Sequence, residues 1–482
     1  RPDKMRFTTL AFLVFFIAVY VVYWTVTGRT RLIFIFLASI LFYATWSVGF
    51  AIHFVSMVGF TYLIVKWMQK SSSSVAFYVG VVVNLGNLFL FKYFYLLLEV
   101  LKDATGSSVF KAAEFNSWLF SRTGYDSIVL PLAISFYTFV LVAYLFDVHR
   151  GIIKEKHSFL EFGVFAMYFP HLVAGPIIRH SDFFYQLGDI KADQDKIVRG
   201  MFLILTGLVK KVAIADNILP LFSRVFLKPD EYSGAANAMA AVSFSIWVFC
   251  DFSGYTDLAR GMSLLLGIEL PENFRAPFLS RSVRELWRNW HSTLGTWMRD
   301  YVYIPLGGSR RGEVRSQLNL LTTFTLGGLW HGAHYPYIIW GFFHGLMLVL
   351  ERFLGLGLDK VLPTKIQLPR ALDIVRTGLQ VVFVFILFCI GAVFFNSPTV
   401  TSAFTMPGRA FTWVPGSPLQ ATETLSYFVI AGFLLNGIQL IEKWPSLKLS
   451  HAATIAGVYG FIVMFLLAKY APGGRDFLYF QF

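Results

Sequence analysis

Val381-Val382-Phe383-Val384-Phe385-Ile386-Leu387-Phe388-Cys389-Ile390-Gly391-Ala392-Val393-Phe394-Phe395 runs without a single charged residue. A helix needs about 20 mostly apolar residues to cross the hydrocarbon of a bilayer. Leu10 to Tyr23 and Leu32 to Trp46 are apolar in the same way. The whole chain is 56% hydrophobic and 14% charged, whereas soluble domains carry about 25% charged residues. These stretches define an all-α polytopic membrane protein.

Working outward, apolar stretches centre near Phe16, Leu37, Phe60, Leu88, Phe139, Phe165, Leu205, Phe244, Phe324, Ile339, Phe385, Phe433 and Phe461. They predict 10 to 13 membrane helices, with about 11 as the expected number. No long polar linker separates them, so a single membrane domain over 5–482 is expected. The polar breaks Lys102 to Asp126 and Thr399 to Thr424 read as loops or short amphipathic segments. Arg1–Lys4 precede Met5 and are expected to be foreign to the native chain. The first apolar run is too long for a signal-peptide core and lacks a small-residue cleavage pattern, so it reads as a retained helix.

The net charge of +13 does not call for nucleic acid, because Lys and Arg gather in short stretches between apolar runs, as cytoplasmic loops do. Cys250 and Cys389 are the only cysteines, which supports neither a disulfide framework nor a four-ligand zinc site. No paired halves are visible, which argues against a carrier built from repeats.

One segment stands apart. Arg275 to Arg315 holds eight arginines, no lysine and three acids, and is expected to face the cytoplasm. Within it Leu286, Trp287, Trp290, Leu294, Trp297, Met298 and Tyr301 recur at three-to-four spacing. The pattern predicts one helix lying at the membrane interface, with Trp290 and Trp297 half buried at headgroup depth. Arg284, Arg288 and Arg299 would then face phosphates or water. An anchoring helix without chemistry is the alternative reading of the same pattern.

Of ten histidines, His149, His157, His180 and His451 fall near helix ends or loops and invite no special reading. His291 sits at the edge of the apolar stripe and is expected to face inward. His331 lies in Gly327-Gly328-Leu329-Trp330-His331-Gly332, an ionisable group at the end of an apolar run whose glycines remove bulk. It is either a structural histidine bonded to a neighbouring helix or a proton-transfer group. A neutral imidazole can take a proton from an attacking hydroxyl near physiological pH, which is the chemistry of acyl transfer. No Gly-x-Ser-x-Gly elbow and no His-Glu-x-x-His pair occurs, and His331 with His334 alone makes a poor zinc site, so no metal is expected.

Asp251-Phe252-Ser253-Gly254-Tyr255-Thr256-Asp257, Pro271-Glu272-Asn273-Phe274, Trp287-Arg288-Asn289-Trp290-His291, Arg299-Asp300-Tyr301, Tyr303-Ile304-Pro305-Leu306-Gly307-Gly308 and Leu329-Trp330-His331-Gly332 follow one another in order. With Tyr168-Phe169-Pro170-His171-Leu172-Val173-Ala174-Gly175-Pro176-Ile177, this series resembles the membrane-bound O-acyltransferase family in its bacterial branch. The resemblance implies a ring of membrane helices around a thinned centre with a tunnel, in the bacterial inner membrane. It implies His331 as catalytic residue and His291 as the second histidine. Arg284, Arg288, Trp290, Trp297, Arg299, Trp330 and Gly332 are expected to bind the donor or line the tunnel, the arginines on the strength of charge alone.

The implied reaction moves an acyl group, expected to be acetyl, from a cytoplasmic thioester toward hydroxyls of an exported or cell-wall polysaccharide such as alginate. The donor would be acetyl-CoA or a phosphopantetheine-carried acyl group on an acyl carrier protein, and no cofactor would stay bound. A periplasmic esterase-like acyltransferase partner is expected, besides membrane lipids. The alternatives are D-alanyl transfer to teichoic acid, peptidoglycan O-acetylation and, in another class, a transporter whose histidines form a proton path.

Overall fold

The computed structural model describes residues 5–71, 74–123, 126–188, 190–361 and 369–439. Among them the chain is helical, and pairing between extended residues is limited to two isolated bridges, Tyr232 to Ser417 and Phe274 to Trp290. Arg1–Lys4 and the apolar stretch around Phe461 lie outside the described residues. The chain forms two compact units, one up to Ile190 together with Trp330–His334, the other Lys191–Leu329 and the chain from Tyr335 onward.

The first unit contains α1 (Leu10–Thr25), α2 (Gly28–Ala44), α3 (Val48–Ser71), α4 (Ser74–Thr105), α5 (Ala112–Thr123), α6 (Ile134–His149) and α7 (Phe159–Met167). Thr9 opens α1 by accepting from the Phe12 N–H, and Ser158 with Glu161 forms a capping box at α7, which satisfies amides that a helix start leaves free. Nearly every side chain of α6 is buried, as expected of a helix that is hydrophobic all round. A Cβ on Gly80 of α4 would come within 2.8 Å of Ile64 and 3.0 Å of Leu145, so glycine lets α3, α4 and α6 meet.

The second unit begins with α8 (Gln194–Leu208), which passes through a π-helical stretch, Val209–Ala215, into α9 (Asp216–Leu227). It continues with α10 (Gly234–Leu265), α11 (Val283–Asn289), α12 (Ser292–Met298), α13 (Glu313–His331), α14 (Tyr335–Val361), α15 (Arg370–Asn396), α16 (Val400–Thr412) and α17 (Thr422–Ile438). The last two residues of α13 belong to the first unit. Helices α5 and α16 fall in the two polar breaks of the sequence.

Among the described residues five helices are long and apolar enough to cross a membrane: Val48–Ser71, Ser74–Thr105, Gly234–Leu265, Tyr335–Gly355 and Arg370–Asn396. Leu372, Ile374, Val375, Leu379, Val382, Phe383 and Ile386 of α15 are exposed, an apolar face that suits lipid rather than water. The protein is therefore an all-α, multi-pass membrane protein. Two further apolar helices, α1 and α6, are shorter at 16 residues each, and the expected stretch around Phe461 lies outside the described residues.

Helices α8 and α10 pack backbone to backbone. Gly200 and Gly207 lie on α8, Gly254 and Gly261 on α10, with the same seven-residue spacing in each pair. A Cβ on Gly207 would stand 2.6 Å from the Gly254 carbonyl oxygen, and one on Gly261 2.6 Å from that of Gly200. Small residues at such a seam replace the hydrophobic drive that lipid removes. Gly207→Ala is expected to destabilise the folded protein by about 1 to 3 kcal/mol, read as a lower unfolding temperature in detergent, whereas Gly86→Ala, where a Cβ has open space, leaves it unchanged.

Candidate functional site

His331 ends α13 and is buried. Its ring stands edge-on to Trp330 at 4.8 Å. Trp330 in turn stacks on Phe139 at 5.2 Å and meets Phe136 at 5.6 Å. The Trp330 carbonyl accepts a 2.5 Å hydrogen bond from the Lys92 ammonium, which also donates to Ser135 Oγ at 3.1 Å. Gly332 is buried beside them.

The glycines before His331 do less than expected. Gly327 leaves open space, but Gly328 is taken up by close approach to Tyr337 and Gly341 of α14. The second glycine thus serves helix packing and opens no room for a ligand.

The interfacial helix expected through Leu286 and Tyr301 is broken. Trp290 is extended and bridges to Phe274, and His291 takes a left-handed conformation with φ 44°. The cause lies upstream, in Asn273 and its neighbours. Asn273 Oδ1 accepts from the Thr293 N–H and hydroxyl, the Asn273 carbonyl accepts from the Ser292 N–H, and Arg275 N–H donates to the Asn289 carbonyl. These bonds cap α12 from outside, so the apolar stripe is carried by two short helices with a kink between them.

Burial changes with the kink. Trp290 and Trp297 were expected half buried, but only 7% and 5% of their surface is exposed. Trp290 packs on Phe274 at 5.0 Å and Phe388 at 4.7 Å, and Trp297 on Tyr301 at 5.2 Å. Phe388 reaches Trp290 from far along the chain, whereas Tyr301 covers Trp297 from one turn on, and both indoles are enclosed in protein.

His291 does face inward. It is 2% exposed, with its ring 4.6 Å from Phe252 in a T-shaped contact. Burial disfavours the imidazolium and pushes its pKa down to about 3, so the ring is a neutral imidazole at physiological pH. His291 belongs to the second unit and His331 to the first.

Arg284, Arg288 and Arg299 are exposed. Arg299 Nε is held 2.6 Å from Asp300, whereas among the described residues Arg284 and Arg288 have no carboxylate partner. Two guanidinium groups are thus open to an anion, and the third is already engaged.

Sequence reading missed a buried ionic network in the second unit. Lys210 Nζ lies 2.6 Å from Asp257 and 2.9 Å from Ser253 Oγ. Lys211 Nζ lies 2.7 Å from both Asp216 and Asp251. Gln439 donates to Ser253 and accepts from the Ala276 N–H. The acids of the Asp251 to Asp257 motif are therefore ion-pair partners. The signal was present as two lysines inside an apolar run, since charges within membrane helices are costly enough to require partners. His344 was also passed over. Its buried ring lies against Trp287 and Trp340, at 4.8 and 5.2 Å, in space that Gly391 leaves free.

Multi-pass apolar helices, buried histidines and a buried ionic network define a membrane-embedded protein. The chain belongs to the membrane-bound O-acyltransferase family, whose model matches residues 82–396, a stretch that runs through both units. It is 35% identical to the probable alginate O-acetylase of Pseudomonas aeruginosa over 90% of this chain and 82% of that protein. It is 33% identical to the peptidoglycan O-acetyltransferase of Helicobacter pylori, covering 66% of this chain and 63% of that one. The teichoic acid D-alanyltransferase of Bacillus subtilis is 29% identical over 46% of this chain and 59% of its own length.

Two outcomes follow. Lys211→Met leaves Asp216 and Asp251 buried without their cation, and is expected to cost about 3 to 5 kcal/mol, measured as loss of folded protein in a detergent unfolding series. For His291, the unfolded chain binds a proton near pH 6.5 while the native ring stays neutral down to about 3. Between those values the unfolded state holds more protons, so stability falls as pH falls. His291→Gln is expected to flatten that part of the stability-against-pH curve.

Proposed function

We propose that the protein is an inner-membrane O-acyltransferase of a bacterium, moving an acetyl group from a cytoplasmic thioester toward hydroxyls of an exported polysaccharide. The observation that carries the reading is His331, buried at the end of α13 in a chain of the acyltransferase family. Its imidazole serves as general base toward the accepting hydroxyl and returns the proton to the leaving thiolate. His291, neutral and enclosed, orients donor or acceptor. The exposed Arg284 and Arg288 take the phosphates of acetyl-CoA or of a carrier's phosphopantetheine, since guanidinium forks match phosphate geometry. Arg299 contributes less, because Asp300 occupies it.

The polysaccharide is an alginate-like glycan in this reading. Support comes from coverage: the alginate relative spans 90% of the chain, against 66% for the peptidoglycan enzyme and 46% for the D-alanyl enzyme. A periplasmic esterase-like protein completes delivery to the glycan. Both units form one acyltransferase domain, with Arg275 to Arg315 on the cytoplasmic side.

His331→Ala tests the assignment. The variant is expected to fold normally and to lose about 10²- to 10⁴-fold in rate, measured as acetyl release from labelled acetyl-CoA in proteoliposomes, with His334→Ala as the exposed control. Normal turnover by folded His331→Ala would sink the mechanism. Substrate flux without thioester cleavage would favour a transporter.

A further inference from the structure

Lys92 lies in Phe89-Leu90-Phe91-Lys92-Tyr93-Phe94, flanked on both sides by apolar and aromatic residues. It is buried in the middle of α4, within a π-helical turn, Phe89–Tyr93. Such turns insert a residue into the helical ladder and frequently mark functional positions. Among the described residues no carboxylate pairs with it. An ammonium has three donors, and here two are used, one on the Trp330 carbonyl and one on Ser135 Oγ. The charge also lies 5.7 Å from the Trp330 ring centroid.

The acceptor explains the placement. α13 ends at His331, and the last carbonyls of a helix have no amide of their own helix to accept from. That end also carries the negative pole of the helix dipole. Lys92 supplies both a donor and a positive charge there, at the peptide directly before His331. An apolar residue of similar length would fill the same space without the cost of burying an unpaired charge, so packing alone does not account for a lysine.

We propose that Lys92 is a positioning residue for His331. It clamps the Trp330 carbonyl and thereby fixes the direction in which the next side chain leaves the helix. Ser135 of α6 holds the ammonium from the other side, and Phe139 of the same helix supports the Trp330 ring. One helix thus steadies both the clamp and the residue it grips. The inference rests on the reading of His331 as general base.

The test uses the full chain in proteoliposomes with labelled acetyl-CoA, comparing Lys92→Met, Lys92→Gln and His331→Ala. Lys92→Met is expected to keep the unfolding temperature and the KM for acetyl-CoA, and to lose about 10²-fold in kcat, the scale on which a misplaced catalytic group costs. Lys92→Gln, which can still donate to the carbonyl, is expected to recover much of that loss. Wild-type kcat in Lys92→Met, or joint loss of stability, KM and kcat without recovery in Lys92→Gln, would overturn the proposal. If Lys92→Met does not fold, a folded and active Lys92→Gln supports the clamp, and failure of both to fold assigns Lys92 to structure alone. An active His331→Ala removes the underlying reading whatever Lys92 shows. An inactive His331→Ala beside a fully active Lys92→Met overturns only the role of Lys92.

Discussion

Charge placed among apolar helices must find its partner inside the protein, and Lys210 with Lys211 makes that demand twice in succession. The two ammonium groups cannot be left bare in a medium that does not solvate them. They are met by Asp257, Asp251 and Asp216, of which two lie on α10. The ion pairs fasten α8 and α9 to α10, and the glycine seam sets the spacing at which they close. Gln439 extends the network through Ser253 to the Ala276 amide, at the head of the arginine-rich segment. Pairs of this kind contribute little net stability compared with well-packed apolar residues, but removing one partner is costly.

The residues that carry the family resemblance divide by what they touch. Asp251 and Asp257 hold lysines, Asn273 caps α12, and Tyr303 bonds Ser316 through its hydroxyl at 2.9 Å. Gly175 lies against the backbone of His171, whose ring bonds the Phe165 carbonyl. Most of the series therefore builds the frame, and within Leu329-Trp330-His331-Gly332 the histidine ends α13, buried against the Trp330 ring.

Membrane class, the inward direction of His291 and the burial of His331 were legible from the sequence, because hydropathy and the cost of buried ionisable groups act locally along the chain. The break at Trp290 was not. Apolar spacing continues through it, and the bonds that impose it come from Asn273 and Arg275, which no periodicity within the segment records. The depth of Trp290 and Trp297 failed for a related reason. Amphipathic pattern says which face is apolar, but whether lipid or protein covers that face depends on partners such as Phe388, far along the chain. Lys92 was visible as a lone charge in an apolar run, while its acceptor was not.

Among the described residues three π-helical stretches, Phe89–Tyr93, Val209–Ala215 and Arg299–Tyr303, interrupt otherwise regular turns, and each includes a basic residue that makes an ionic or hydrogen-bonded contact. An extra residue in a helical turn advances every later side chain by about 100° around the axis. Each such stretch therefore acts as a phase reset: the face that looked inward before it is not the face that looks inward after it. Asn84 and Lys102 lie on either side of the first stretch and do not share one continuous angular count, and the same holds for Lys196 and Arg224 across the second. Deleting one residue within any of these stretches would leave composition and hydropathy almost untouched while rotating a whole half-helix against its neighbours. Alignments that place gaps freely inside apolar helices would hide such a change.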